Sequence, residues 1–126
     1  MNQKLVIIRG VPGSGKSTRA AEFVKLGYAH FENDQFLMRN GVYDWTPERL
    51  TAAISACFNA VKNALQDGQS VVVSNCFITH KSYSAFVKLA ESMNVQVEVI
   101  NCFGEYQNQH NVPDAILQNM RRSFQP

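Results

Sequence analysis

The sequence predicts an α/β fold in three layers, a mostly parallel sheet of about four or five strands with helices on its faces. Three observations predict it. Continuous apolar runs at Lys4–Arg9 (KLVIIR) and Ser70–Ser74 (SVVVS) suit strands buried on both sides, as in a parallel sheet. Segments with helical apolar spacing lie between the strand candidates, the arrangement of right-handed crossover connections. Glycine or Asx turn signals mark the junctions. The 126 residues suit one domain over 1–126, since domains commonly run to about 100–150 residues. Such a chain buries roughly two-thirds of its surface, so it needs no disulfide staple.

The elements follow in order. After the first strand comes a glycine-rich turn, then a helix over Lys16–Leu26 that Gly27 stops. Tyr28–Glu32 is the second strand candidate, ending at Asn33 and Asp34. Arg39-Asn40-Gly41 reads as a turn. Thr46 as N-cap and Pro47 at the first helical position open a long helix. Leu50, Ile54, Cys57, Phe58, Val61 and Leu65 recur on one face, which predicts burial of that face. Asp67-Gly68 ends the helix and the Ser70–Ser74 strand follows. Thr79 is a candidate cap for a helix carrying Tyr83, Phe86, Val87, Ala90 and Met93 inward. Val95–Cys102 alternates, as an edge strand does. Pro113 begins a last helix with Ile116, Leu117, Met120 and Phe124 inward.

Composition narrows the function classes. A formal charge of +2 is too small to mark a nucleic-acid binder by charge alone, although a local basic rim would suffice for one. Cys57, Cys76 and Cys102 are odd in number and show no metal-ligand spacing, so the expectation is reduced thiols in a cytosolic protein. The chain shows no signal-peptide pattern and no apolar run near the ~20 residues of a membrane helix. A cytoplasmic location and no membrane partner are therefore expected.

The strongest signal is Gly10-Val11-Pro12-Gly13-Ser14-Gly15-Lys16-Ser17, which fits G-x-x-x-x-G-K-[ST] at every fixed position, with Thr18 following. The glycines let the backbone approach phosphate oxygens closely. Successive N–H groups then form an anion nest, and the following helix adds the positive end of its dipole. Lys16 is placed to reach the β- and γ-phosphates of ATP or GTP, and the Ser17 hydroxyl to ligate Mg²⁺. The motif falls between a buried strand and a helix, the context that distinguishes it from an incidental glycine turn. The fold class is thereby a P-loop nucleotide-binding domain, and the cradle alone does not separate kinase from motor, GTPase or switch.

Asp34 follows the second strand, at the edge where α/β sheets bind ligands. There it could accept a proton from an attacking hydroxyl, or hold Mg²⁺ through water. A plain turn aspartate is the alternative. Arg39 could hold a substrate phosphate by a bidentate contact, or be a solvent-exposed turn arginine. Ser74 and Asn75 stand where many P-loop proteins place a strand-end carboxylate, and none is present. His80, Lys81, Arg121 and Arg122 read as surface or helix-end residues, with the two arginines as candidate phosphate contacts. No N-K-x-D guanine signature is found.

These features together resemble the phage-type polynucleotide 5′-hydroxyl kinases and related small P-loop kinase-like domains. The resemblance rests on LVIIRGVPGSGKST (5–18), the Asp34 region followed by Arg-Asn-Gly, VVVSNCFI (71–78), and NVPDAILQNMRRSF (111–124), which is similar to a V-P-x-x-x-[IL]-x-x-M ending. It implies that Lys16 and Ser17 hold ATP and Mg²⁺, that Asp34 is the general base, and that Arg39 corresponds to a substrate-side arginine. Asn75 stands where that family has an aspartate. FGEYQNQHN (103–111) carries no lysine or arginine where the family has a basic lid. The implied activity is transfer of the γ-phosphoryl of Mg-ATP to a hydroxyl, a nucleic-acid 5′-hydroxyl being one acceptor. A nucleotide-dependent switch and a small-metabolite kinase are the alternatives.

Overall fold

A computed structural model of the chain describes residues 2–105 and 112–126. Its main sheet contains β1 (Lys4–Arg9), β2 (Ala29–Phe31), β5 (Val71–Asn75) and β6 (Gln96–Asn101). The order is β2-β5-β1-β6 and every pairing is parallel. Leu5 pairs with Val71 on one side and Val97 on the other, so β1 is central. Its four core aliphatics, Leu5 to Ile8, are fully buried, as a strand covered on both faces requires. β6 lies at the edge, in keeping with its alternating sequence.

Helices cover both faces. On one face Leu5, Ile7, Val71 and Val73 pack with Cys57, Val61 and Leu65 of α2 (Pro47–Gln66) and with Phe86 and Ala90 of α3 (Ser84–Ser92). On the other, Val6, Ile8 and Val72 pack with Ala20 and Phe23 of α1 (Lys16–Lys25). The alternation of side chains along β1 thus divides one strand between two cores. Thr46 Oγ1 accepts from Arg49 N at 3.1 Å, and Pro47 occupies the first helical position, so α2 begins where the cap signal puts it. Thr79 caps a short 3₁₀ turn, His80–Tyr83, that runs into α3. α4 spans Asp114–Ser123. No helix among the described residues is long and apolar enough to cross a membrane.

One detail adds to the sequence expectation and another departs from it. The turn at Arg39-Asn40-Gly41 belongs to a small hairpin, β3 (Met38–Arg39) against β4 (Val42–Tyr43). Asn40 and Gly41 both take positive φ, the conformation that two-residue hairpin loops favour. Ile54 of α2 and Ile116 of α4 are not core residues: both are exposed. They follow the helical spacing of their neighbours but face a cleft rather than the sheet.

The C-terminal end of β1 is fixed by a buried cation. Arg9 is 1% exposed. Its guanidinium donates to Phe77 O at 3.0 and 2.8 Å, to Gln125 O at 2.6 Å and to Asn101 Oδ1 at 3.1 Å. Tyr83 and Phe124 flank it, 4.6 and 4.5 Å from the ring centroids. Burial pushes its pKa down. Arg9→Ala would leave several buried oxygens without a donor, and unfolding free energy from urea titration is expected to drop by about 3 kcal/mol or more.

Candidate nucleotide-binding site

All four strands of the main sheet end on one edge, and the glycine-rich loop leaves β1 there. Gly13 and Gly15 take φ of 79° and 99°, which side chains other than glycine's rarely tolerate. Gly15 is the N-cap of α1, with no side-chain cap and no acidic residue in the first turn. The first N–H groups of α1 therefore remain available to an anion. A Cβ on Gly10 would lie 2.1 Å from Ser14 Oγ and 2.9 Å from Cys102 O, so this position admits glycine only. Two backbone bonds hold the loop from outside: Gly104 N to Ser14 O at 3.0 Å and Gly10 N to Cys76 O at 3.2 Å. The Lys16 ammonium folds over the loop and donates to Gly10 O (2.8 Å) and Val11 O (3.1 Å). Carbonyl contacts of this kind are neutral and exchangeable for phosphate oxygens.

Asp34 lies in a 3₁₀ turn, Asn33–Phe36, that continues from β2. Asn33 N donates to Asn75 Oδ1 at 2.8 Å, tying the end of β2 to the end of β5. Tyr43 Oη donates to Asp34 Oδ1 at 3.3 Å, so the hairpin braces the aspartate from the far side. Beside them runs a chain of side chains in which the sequence reading had named only Ser74. His30 Nε2 lies 2.7 Å from Ser74 Oγ, and the Ser74 hydroxyl donates to Glu32 Oε2 at 3.3 Å. With that one proton committed to Glu32, the imidazole Nε2–H is the donor to Ser74. Burial lowers the His30 pKa, with the Glu32 charge opposing, which favours the neutral ring. The effect is to hold a carboxylate, Glu32, next to Asn75. The signal available in the sequence was a glutamate at a strand end, two residues before Asp34.

Pro12, Gly13, Gly15, Lys16, Ser17 and Thr18 share one cleft of about 880 Å³ with Glu32, Asp34, Tyr43 and Trp45. The structure thus brings Lys16, Ser17 and Asp34 together. It does not bring Arg39 to them: that side chain is exposed on the hairpin, 3.8 Å from Asp44, and is absent from the described cleft walls. Arg121 lies 3.8 Å from Glu105 and Arg122 is exposed. His80 is an exposed residue whose Nε2 is 2.7 Å from Pro126 O. His110 and most of the lysine- and arginine-free segment fall outside the described residues. The cysteines are free; Cys57 and Cys102 are buried, and burial pushes the Cys57 thiol up to about 11.

A glycine-rich loop with its lysine, between the central strand of a parallel sheet and an uncapped helix, defines a P-loop domain of kinase-like fold. The chain matches the AAA domain family over residues 5–126 and belongs to it. It is 33% identical over 133 residues to an uncharacterized protein of Pasteurella multocida, covering 94% of this chain and 74% of that protein. Among solved structures it is similar to a chain of the Pnkp1/Rnl/Hen1 complex, with a TM-score of 0.68 and 21% identity over 94% of this chain, although it spans only 38% of that one. A candidate kinase from Chloroflexus aurantiacus aligns with a TM-score of 0.66 and 22% identity over 80% of this chain, which spans 59% of it. A gluconokinase from Sinorhizobium meliloti aligns with a TM-score of 0.64 and 19% identity over 98% of this chain and 75% of its own. At these identities the structural likenesses establish the fold.

Two substitutions test the cradle. Lys16→Ala removes the flexible cation and is expected to weaken triphosphate binding by roughly 10- to 100-fold, the usual worth of a charge-assisted contact, in a titration with a fluorescent nucleotide. Retention of affinity within about twofold would refute the assignment. Gly10→Ala forces Ser14 aside from a distance of 2.1 Å. The expected result is loss of nucleotide binding together with about 1–3 kcal/mol of stability in a urea melt.

Proposed function

We propose that this domain transfers the γ-phosphoryl group of Mg-ATP to a hydroxyl acceptor, with a nucleic-acid 5′-hydroxyl as the acceptor class its sequence resemblance favours. The observation that carries the reading is the shared cleft: Lys16, Ser17 and Asp34 line one space at the C-terminal edge of the sheet. The donor set there fits the metal as well, because the Ser17 hydroxyl and the Glu32 and Asp34 carboxylates are hard oxygen ligands in the same cleft. Held by these oxygens, Mg²⁺ would supply positive charge to offset that of the phosphates.

The chain's own groups divide the remaining work. The backbone from Gly10 to Thr18 binds the polyphosphate, and Lys16 exchanges its carbonyl contacts for β- and γ-oxygens. Asp34 takes the proton of the acceptor hydroxyl as its oxygen bonds to the γ-phosphorus. The bond from that phosphorus to the β,γ-bridging oxygen breaks, and ADP leaves. Phosphoryl transfer demands positioning and charge stabilisation more than covalent help, so a few well-held groups suffice.

A nucleotide-dependent switch is the second reading. It is favoured by Asn75 in place of a strand-end carboxylate and by the absence of arginine from the described cleft walls. Asp34→Asn separates the two, because asparagine keeps the shape but accepts no proton at neutral pH. For a kinase, label transfer from ATP to 5′-hydroxyl oligonucleotides is expected to fall by roughly 10²–10⁴-fold while nucleotide affinity measured without Mg²⁺ stays. An unchanged transfer rate would rule out Asp34 as base. Binding with no transfer by the unmodified protein would favour the switch.

A further inference from the structure

The acceptor half of the cleft is apolar, and large side chains meet there from three separate elements. The segment from the hairpin into α2 contributes Tyr43 and Trp45, α2 contributes Leu50 and Ile54, and α4 contributes Ile116 and Met120. Tyr43, Trp45, Ile54 and Ile116 are 48–53% exposed. Among the described residues the cleft walls carry one cation, Lys16, and it belongs to the cradle. An acceptor held by its phosphates would find no partner here. A polyol would find its hydrogen-bonding groups at the sheet edge, where Glu32, Asn33, Asp34 and Asn75 line the cleft, rather than on the wall of Trp45, Ile54 and Ile116. A flat, uncharged ring matches the walls, since a base stacks on aromatic side chains whatever its sequence. Tyr43 also donates to Asp34, so the aromatic wall is one hydrogen bond from the candidate base.

We infer that this wall is an acceptor subsite for a neutral ring-bearing alcohol, a nucleoside or the 5′-terminal nucleoside of a strand, with Trp45 as its stacking platform. This rests on the hydroxyl-kinase reading for the chemistry, but binding can be measured apart from it. In the transfer step the ring's own hydroxyl oxygen bonds to the γ-phosphorus, its proton passes to Asp34, and ADP departs. The stack sets which hydroxyl reaches that point.

Trp45 is the single tryptophan of the chain, so its fluorescence reports the subsite directly. The chain is first saturated with a non-hydrolysable ATP analogue, which occupies the cradle. Cytidine, a 5′-hydroxyl trinucleotide and gluconate are then titrated separately. Quenching by cytidine, by the trinucleotide or by both, with none by gluconate, is the expected result. The first two arms tell a free nucleoside from a strand end. Quenching by gluconate alone, or by no probe, overturns the inference. In label-transfer assays Trp45→Ala is expected to raise the acceptor KM by roughly 10- to 100-fold, the usual effect of removing a stacking platform, with the ATP KM unchanged and Trp45→Phe restoring most of the loss. An acceptor KM unmoved by Trp45→Ala also overturns it. If the ring probes quench but no acceptor is ever labelled, the subsite stands and the kinase reading falls.

Discussion

The structure depends on a buried positive charge at the end of its central strand. A guanidinium out of water is expensive unless its donors are used. Arg9 meets that condition without a carboxylate, through backbone carbonyls, one side-chain amide oxygen and two aromatic faces. The partners come from four parts of the chain: the loop after β5, the end of β6, the 3₁₀ turn before α3, and the C-terminal residues after α4. Phe77, whose carbonyl takes two of the donors, has φ of 45°. A bulky residue in that region is strained and persists only where its surroundings hold it. The charge therefore fixes a backbone conformation that propensity alone would not select.

The consequence for the site follows from position. Arg9 immediately precedes Gly10, so the glycine loop starts from a point held on several sides. The loop can then carry left-handed glycines and a helix start with no side-chain cap, features that would otherwise fray. The same edge receives Asn75 and Asn101, the register partners of Arg9 on either side. Asn75 spends its oxygen on Asn33 N, which sets the turn carrying Asp34. Asn75 therefore does structural work, and the carboxylate charge near it comes from Glu32, the residue after β2, held by the Ser74 hydroxyl that His30 also contacts.

What the sequence made legible was what depends on local pattern. Continuous apolar runs marked β1 and β5, Thr46-Pro47 marked the start of α2, and the spacing of Gly10, Gly15, Lys16 and Ser17 marked the cradle. Pattern could not say what a helix face opposes. Ile54 has the same period as Cys57 and Val61, and Ile116 sits next to the buried Leu117, yet both isoleucines border the cleft. Burial and ligand contact select for the same apolar side chains, so periodicity alone does not separate them. Arg39 shows the same limit of chain distance: it lies five residues from Asp34, but the hairpin turns its exposed side chain toward Asp44, as the turn-arginine alternative has it. The link between Glu32, Ser74 and His30 was not legible, because parallel pairing across β2 and β5 brings together residues far apart in the chain.

The charge on the cleft walls shows how the two halves divide. Among the described lining residues Lys16 contributes +1 and Glu32 with Asp34 −2, a sum of −1. An anionic nucleotide is thus not drawn in by side-chain charge. The attraction has to come from oriented backbone N–H groups and the helix start, which act within a few ångströms and only on a correctly seated phosphate. A bound divalent cation reverses the local sign, because both carboxylates then face a positive partner. Away from the carboxylates the walls turn apolar, where water is poorly held and charge interactions gain strength. A neutral ring can enter that half without a counter-charge, while a further anion would find no second basic side chain among the described walls. On the proposed reading, the polarity of the cleft would order its occupants, with the triphosphate on the backbone cradle and an uncharged hydroxyl-bearing group beyond Asp34.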